Sequence, residues 1–461
     1  MSGIIPIINT NKKSGQEKLL THNSVTIRRQ STQLERSRSF PPDDQPVSQK
    51  WQPGIFGVLD IGSTKITCLI GRGEANGKLK VLGHGWRRSH GVKQGGIVNL
   101  KEAERAIRAA VGQAEDAAER RLEKVYVNLS CGKPESHLYN VHWPIGGRNV
   151  TNNDIYRLIN EGLLRAQIEG REIIHALPLN FSVDETSQVE DPRGYFCDQL
   201  ATQLHIIDTS STALRNLAMV LTRAELQIKA LVSAPLAAGL SVMAQDERDL
   251  GATIVDMGGG TTSIGIFEDN QLLYTAQIPI GGLHVTRDIA GVLSTSIDTA
   301  EWLKTMYGSA EYSYDDEYHQ LPIQVIGDDE YEVVTKIPRS RIISIIRPRI
   351  EETLELIRDR LDNAGVGHAA NGRVILTGGA SLLEGIGPLA ARILNRQIRM
   401  GKPNNIIGFP EDASTSAAFA TSTGLLYWAA GAGRTLADLD FSEKRPESFV
   451  KKIIEFIRLR V

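Results

Sequence analysis

The sequence predicts an α/β fold of two lobes with a compact α+β unit inserted into the first. From Gly54 onward, short β-rich apolar runs at 54–61, 66–70 and 78–83 are separated by glycine turns and followed by helical spacing over 99–122. Two distant segments, 57–65 and 253–262, share one pattern of apolar strand, Asp, Gly and hydroxyl residues. Between them, residues 124–205 change character and interrupt the first lobe.

With 461 residues the chain is long enough for several cores, since one domain usually holds about 100–200. Charged residues are 23%, hydrophobic ones 41% and the net charge is −2, so no whole-protein field attracts nucleic acid or a membrane. No nucleic-acid partner is expected, and any attraction to lipid must be local. Three cysteines, Cys68, Cys131 and Cys197, form no CxxC pair, which argues against a disulfide framework or a thiolate metal site and for a reducing compartment, the cytoplasm. No apolar run approaches the roughly 18–20 residues needed to span a bilayer, and the start, MSGIIPIINTNKK, lacks the basic-then-apolar order of a secretory signal. The chain is expected neither to cross a membrane nor to be exported.

Residues 1–52 mix Asn, Ser, Gln, Arg and Pro without periodicity and read as a disordered, mildly basic tail. Asn99, with Glu102 three residues on, is a plausible N-cap for the helix at 99–122. Within 124–205 the pattern predicts a strand at VYVNLS, a His-, Asn- and Gly-rich stretch, a helix at 153–169, and strands at 173–183 and 201–207. A second lobe begins near Gly251, contains helical spacing at 341–364 and runs to about Trp428, followed by an Ala-, Gly-, Asp- and Arg-rich linker.

The chemistry concentrates in the paired segments. The first supplies Asp60, Gly62, Ser63, Thr64 and Lys65; the second supplies Asp256, Gly258, Gly259, Gly260, Thr261 and Thr262. Glycines let backbone N–H groups approach phosphate oxygens, and the hydroxyls add donors. Asp60 and Asp256, at strand ends, are suited to hold Mg²⁺ through water, because hard cations prefer oxygen ligands. One such turn is a common structural feature, but two that face each other would clamp a triphosphate. A third element, the strand-like run from Val374, ends in Gly378, Gly379 and Ala380, where the Gly378-Gly379 turn would let a flat base lie against the backbone.

This succession of motifs resembles the ASKHA superfamily of actins, DnaK-type chaperones and sugar kinases. The resemblance implies an actin-like, ribonuclease H-like bilobal ATPase fold that binds ATP with Mg²⁺ between its lobes. Within it, Glu301 and Lys304, three apart on one helix, look like the pair that reaches the nucleoside. Residues 231–243 resemble the connecting helix that begins Glu-Pro in DnaK and MreB, but here Ala234 precedes Pro235. Without that carboxylate no catalytic residue is expected, and ATP binding matters more than turnover.

The stretches from His175 to Asp184, Asp191 to Tyr195 and Leu200 to His205, with Asp246 to Gly251 and Gly281 to Asp288, resemble the FtsA family of bacterial cell-division proteins, whose inserted subdomain is called 1C. The resemblance implies subdomain 1A at 53–123 and 206–240, 1C at 124–205, 2A at 241–283 and 369–428, and 2B at 284–368. It implies an adaptor, not an enzyme, that self-associates into filaments, receives the C-terminal peptide of FtsZ at 2B, meets other divisome proteins through 1C and anchors the Z ring to the cytoplasmic face of the cell membrane at the septum. Arg339, Arg341, Arg347 and Arg349 are the basic residues of 2B that would meet the acids of that peptide. Acidic, tyrosine-bearing stretches at 312–318 and 328–331 read as solvated hairpins or loops. An MreB-like scaffold, which lacks 1C, and a small-molecule kinase of the same superfamily are the rival readings.

After the linker at 429–447, the final segment, 448–461, reads as an amphipathic helix. Phe449, Val450, Ile453, Ile454, Phe456 and Ile457 sweep one face of roughly 160°, while Lys451 and Arg458 lie opposite, Lys452 flanks the stripe and Arg460 falls within it. Such a helix suits an anionic lipid surface at about 1 kcal/mol per Lys or Arg. A terminal helix docked on the protein's own core is the other reading, and the excess of cations favours lipid.

Overall fold

The computed structural model describes residues 51–324, 334–367, 372–409 and 417–432. The tail before residue 51, the acidic stretch at 328–331, most of the expected linker and the segment 448–461, expected to be an amphipathic helix, lie outside the described residues.

In the first lobe, β1 (Gly54–Ile61), β2 (Lys65–Gly73) and β3 (Leu79–Arg88) form an antiparallel trio, and the small hairpin of β4 (Val92–Lys93) and β5 (Gly96–Ile97) leads into α1 (Leu100–Ala118). The Asn99 side chain accepts from the Glu102 N–H at 3.2 Å, the N-cap that the sequence predicts. Helix α1 crosses β3 so closely that a Cβ on Gly85 would lie 2.1 Å from the Ala110 carbonyl oxygen. Strand β6 (Lys124–Leu129) then runs parallel to β1.

The insertion contains β7 (Glu135–Asn149), α2 (Asn152–Arg165), β8 (Arg171–Val183), β9 (Thr186–Val189) and β10 (Phe196–Ser210), with sheet order β7-β10-β8-β9 and its own apolar core. Two expectations change here. The His-, Asn- and Gly-rich stretch is the edge strand β7, hidden in sequence because few of its side chains, Val141 and Ile145 among them, are buried. Helix α2 stops at Arg165, four residues early, and Gly170 at φ +77° turns the chain into β8.

After α3 (Ser211–Arg223), strand β11 (Gln227–Ser233) pairs in parallel with β6, and α4 (Ala234–Val242) and α5 (Gln245–Asp249) lead to the second lobe. There β12 (Ala252–Met257), β13 (Thr262–Glu268) and β14 (Gln271–Ile278) form another antiparallel trio. Helices α6 (Gly282–Leu293) and α7 (Ile297–Tyr307), the hairpin of β15 (Gln320–Gln324) and β16 (Val334–Pro338), and α8 (Arg339–Asp362) follow. Strand β17 (Arg373–Thr377), α9 (Ile386–Leu394) and β18 (Ile398–Met400) complete the sheet, and β19 (Ile406–Ile407) and α10 (Ala420–Ala429) come last.

The lobes repeat one topology. Order β3-β2-β1-β6-β11 in the first is matched by β14-β13-β12-β17-β18 in the second, antiparallel through the first three strands and parallel beyond. One buried cluster joins them: Val58, Leu69 and Tyr126 from the first sheet and Ile254, Phe267 and Ile375 from the second close on α4 and α10.

Two sequence-derived boundaries move accordingly. Residues 124–129, assigned to the insertion, belong to the first-lobe sheet as β6, because Val58 and Leu59 of β1 need a parallel neighbour. Residues 406–407, assigned to the second lobe, pair as β19 with β3 of the first, and α10 packs against α4 and against β1 and β2.

The α4/α10 crossing is tight enough that a Cβ on Gly424 would lie 1.7 Å from the Ala237 carbonyl oxygen. Gly424→Ala is therefore expected to lower the unfolding free energy by about 3 kcal/mol or more in urea titration. Gly112→Ala on α1, where a Cβ meets nothing within 4 Å, should instead stabilise by up to about 1 kcal/mol.

Candidate nucleotide site

The two Asp-Gly segments fold into hairpin tips of the same construction. Ile61 pairs with Ile66 and Met257 with Thr262, leaving four-residue turns at 62–65 and 258–261. The Gly62 N–H donates to Lys65 O at 3.0 Å, and the Gly258 N–H donates to Thr261 O at 2.9 Å. A Cβ at either glycine would lie 2.9 Å from that same oxygen. The tips also meet each other, since a Cβ on Gly259 would be 2.4 Å from Thr64 Cγ2 and one on Gly260 would be 2.4 Å from Ser63 Oγ. Only glycine backbone fits at this approach.

Behind the tips stand Asp60 and Asp256. Burial pushes the Asp60 carboxyl up to about 7, the Asp256 charge adds to the rise, and Lys65 partly offsets it. Asp256 is also raised by burial, against a 2.7 Å hydrogen bond donated by the Thr421 hydroxyl. Lys65 falls to about 8 through burial, its ammonium 3.3 Å above the Phe419 ring centre. Two carboxylates held together in a desolvated cleft are short of positive charge, and a divalent cation bound to them, directly or through water, would supply it.

The second lobe closes the site from its helices. The Gly282 and Leu283 N–H groups donate to Gly258 O and Gly259 O at 3.0 and 2.8 Å, so the start of α6 holds the second tip. Lys304 Nζ donates to Glu301 Oε2 at 2.7 Å, to Thr286 Oγ1 at 2.8 Å and to Gly282 O at 3.2 Å. Gly378, at φ +88°, passes Asp256 where a Cβ would be 2.3 Å from Oδ1. The cleft, of about 420 Å³, is lined by both tips, Glu301, Lys304 and Gly378–Ala380.

A family profile described as "Cell division protein FtsA" matches residues 253–424, and one described as "SHS2 domain inserted in FTSA" matches 132–208. Cell division protein FtsA of Agrobacterium fabrum is 38% identical over 398 residues, covering 84% of this chain and 89% of that protein. The chain belongs to the FtsA family. FtsA of Escherichia coli K12 is 30% identical over 386 residues, covering 80% of this chain and 89% of its own length. Among solved structures, a PilM-PilN type IV pilus biogenesis complex aligns with a TM-score of 0.59 at 17% identity over 81% of this chain and 98% of that one. The fold is the actin-like α/β architecture that the sequence predicts, with the insertion characteristic of FtsA in place.

Most of the predicted residues of this FtsA-family chain converge on the cleft: Asp60, Gly62, Ser63, Thr64, Lys65, Asp256, Gly258, Gly259, Gly260, Thr261, Glu301, Lys304, Gly378, Gly379 and Ala380. Thr262 does not. It is the first residue of β13, fully buried, and its hydroxyl donates to Ile280 O at 2.9 Å, so the donor faces the fold and not the cleft. Sequence reasoning missed Asn128 and Ser130 at the end of β6, and Thr421 on α10. Asn128 accepts from the Ile61 N–H at 2.8 Å and so fixes the first tip. The polar ending of VYVNLS was visible, but its place beside β1 was not. Ala234 does line the cleft, and no carboxylate stands at that position.

The four arginines expected to meet an acidic peptide separate. Arg339 is sequestered by Asp316 at 2.8 Å, Glu384 at 2.5 Å and Tyr307 O at 2.8 Å, and is a structural clamp, not a free cation. Arg347 pairs with Glu351 and lies over Tyr312, and Arg349 pairs with Asp288 and Glu352. Arg341 is exposed beside Arg287, a residue the sequence did not single out, in a groove of about 620 Å³ between α6 and α8.

Because Asp60 titrates near 7, lowering the pH from about 8 to about 6 should weaken Mg²⁺-dependent nucleotide binding about tenfold by protonating it. The raised carboxyl makes the cation-free protein lose stability as pH rises from the ordinary carboxylate range through about 7, with no further loss above. Asp60→Asn should flatten that loss, raise the cation-free melting temperature at pH 8 and abolish the increase expected from Mg²⁺ with ATP in the unmodified chain.

Proposed function

We propose that this chain binds ATP with Mg²⁺ between its lobes and acts as an adaptor that anchors FtsZ filaments, and with them the Z ring, to the cytoplasmic face of the cell membrane. The observation that carries the nucleotide half is the meeting of two glycine tips over two strand-end carboxylates, with Glu301, Lys304 and the Gly378 turn lining the same cleft. Membership of the FtsA family supports the division half.

The site favours binding over chemistry. Of the carboxylates lining the cleft among the described residues, Asp60 and Asp256 stand at the strand ends, Glu301 is paired with Lys304, and Glu384 is paired with Arg339. None is left to serve as base for an acceptor hydroxyl, and Ala234 stands where the superfamily carries its water-positioning glutamate. This arrangement supports a reading in which slow hydrolysis tunes self-association into filaments. A kinase reading would have to use as its base Asp60 or Asp256, the carboxylates that the cation would occupy, and an MreB-like reading leaves the four-stranded insertion without a place.

The FtsZ C-terminal peptide, with its acidic residues, would bind in the groove between α6 and α8, a reading supported by Arg287 and Arg341, which line it and form no ion pair with a described carboxylate. Other divisome proteins would meet the exposed edge of the insertion. The helix at 448–461 would hold the assembly on anionic lipid, and among the described residues no helix is long and apolar enough to cross a membrane.

Vesicle flotation of the full chain and of a chain ending at Pro446, each with and without FtsZ, tests the anchoring. The full chain should carry FtsZ to anionic vesicles and the shortened one should leave it in solution; equal recruitment by both would sink the reading. Charge reversal at Arg341 or Arg287 should weaken binding of the FtsZ C-terminal peptide by roughly tenfold, measured by fluorescence anisotropy, without lowering the melting temperature. Charge reversal at Arg339 should lower the melting temperature instead, since it strips Asp316 of its partner.

A further inference from the structure

Away from the cleft, at the root of the insertion, three ligand-bearing side chains converge. Asp208 on β10 is directly opposite Glu135 on β7, and His137 is two residues further along β7, so the period of the strand places all three on one face. His137 Nε2 lies 3.8 Å from Glu135 Oε2 and 3.7 Å from Asp208 Oδ2, and the three atoms all fall within 4.8 Å of one another. Among the described residues this is the one group of three or more such side chains with that spacing.

The second observation is a polar deficit aimed into the same space. The Asp208 side chain is 1% exposed, yet its Oδ2 has no hydrogen-bond donor, and His137 Nε2 is likewise buried without a partner. A buried carboxylate oxygen left without a donor costs stability unless a cation or proton reaches it. Arg171 accounts for the other oxygens: its guanidinium donates to Asp208 Oδ1 at 2.6 and 2.8 Å and lies 3.3 Å from Glu135 Oε1. Each carboxylate is thereby turned so that its free oxygen faces His137, the arrangement by which a second layer of side chains orients metal ligands. Two carboxylates against one guanidinium leave a charge of about −1 beside the imidazole.

We propose that Glu135, His137 and Asp208 form a binding site for a divalent first-row transition-metal ion of the Zn²⁺ class, clasping the two strands through which the insertion leaves and rejoins the first lobe. One imidazole with two carboxylates suits Zn²⁺, Co²⁺ or Mn²⁺ better than Mg²⁺, which prefers oxygen and its own waters, or Ca²⁺, which needs more oxygens. Ligand distances near 2.0–2.2 Å require the three atoms to close to about 3.5 Å. Glu135 supplies the movement, since its side chain is 53% exposed and its contact with Arg171, at 3.3 Å, is longer than the Asp208 hydrogen bonds. The ion would also brace a joint with the second lobe. Ser136, between two of the ligands, is 2.6 Å from His205 Nε2, and His205 Nδ1 donates to Leu272 O on β14 at 2.7 Å.

The test is a Co²⁺ titration of the full chain with Mg²⁺ and ATP in excess, read by visible absorption, followed by competition with Zn²⁺. A saturable 1:1 band displaced by Zn²⁺, weakened at least about tenfold in His137→Ala and in Glu135→Gln, is expected, together with a higher melting temperature in Zn²⁺ that His137→Ala lacks. Circular dichroism of both variants checks that they fold. Absence of a band, or an undiminished band in His137→Ala, overturns the proposal. So does a melting temperature indifferent to Zn²⁺ that falls as pH rises through the histidine range, which would mean that a protonated His137 bridges the carboxylates by itself.

Discussion

Asp60 and Asp256 end two buried strands from different lobes, and burial in a desolvated cleft raises both carboxyls, with the Asp256 charge adding to the rise at Asp60. Keeping them there requires the hairpin tips beyond them to touch, which only glycine at 259 and 260 permits, and requires the sheets behind them to be held at a fixed spacing. That spacing is set by α4 and α10, whose crossing at Gly424 admits no side chain. Much of the rest serves this opposition: Asn128 pins the first tip, the start of α6 pins the second, and Thr421 holds Asp256. A bound cation would relieve the repulsion, so occupancy and closure of the lobes would be coupled by charge.

The insertion is tied into the same mechanics. Its strands reach the second lobe through His205, whose imidazole is pushed down to about 4 by burial and therefore stays neutral at physiological pH. A neutral ring can accept at Nε2 from Ser136 while donating at Nδ1 to Leu272 O, and a protonated one could not accept. Gln277 on β14 donates to Ser130 O at 3.0 Å, and Gln271 donates to Asn180 at 2.7 Å, so the insertion, the first lobe and β14 share one polar seam. Movement of the second lobe relative to the first would be felt at the insertion.

In the subdomain of α6 to α8, charge is used in two ways. Arg339 and Arg349 are spent on internal carboxylates and stabilise the packing of α8, while Arg341 and Arg287 remain exposed on the groove. The distinction matters because a cation already paired inside the fold has little to offer a peptide, whereas an unpaired one at a groove rim steers and holds an acidic partner.

The α/β class, the duplicated Asp-Gly hairpins and the absent carboxylate at Ala234 were legible in the sequence, because each depends on local order: an apolar strand, a turn that needs glycine, a residue type at one position. The Glu301–Lys304 pair was legible for the same reason, being three residues apart on one helix. What the sequence did not determine depends on partners distant along the chain. That β6 belongs beside β1, that β19 and α10 return to the first lobe, that Thr262 turns its hydroxyl inward, that Arg339 is clamped by Asp316 and Glu384, and that Asp208 faces His137 all follow from contacts between segments tens to hundreds of residues apart. Strand β7 escaped notice because an edge strand buries few side chains and so carries little hydrophobic period. The residue types and their local spacing were written in the chain; which of them share a cleft, and which are consumed by the fold, was decided only when the two lobes closed on α4 and α10.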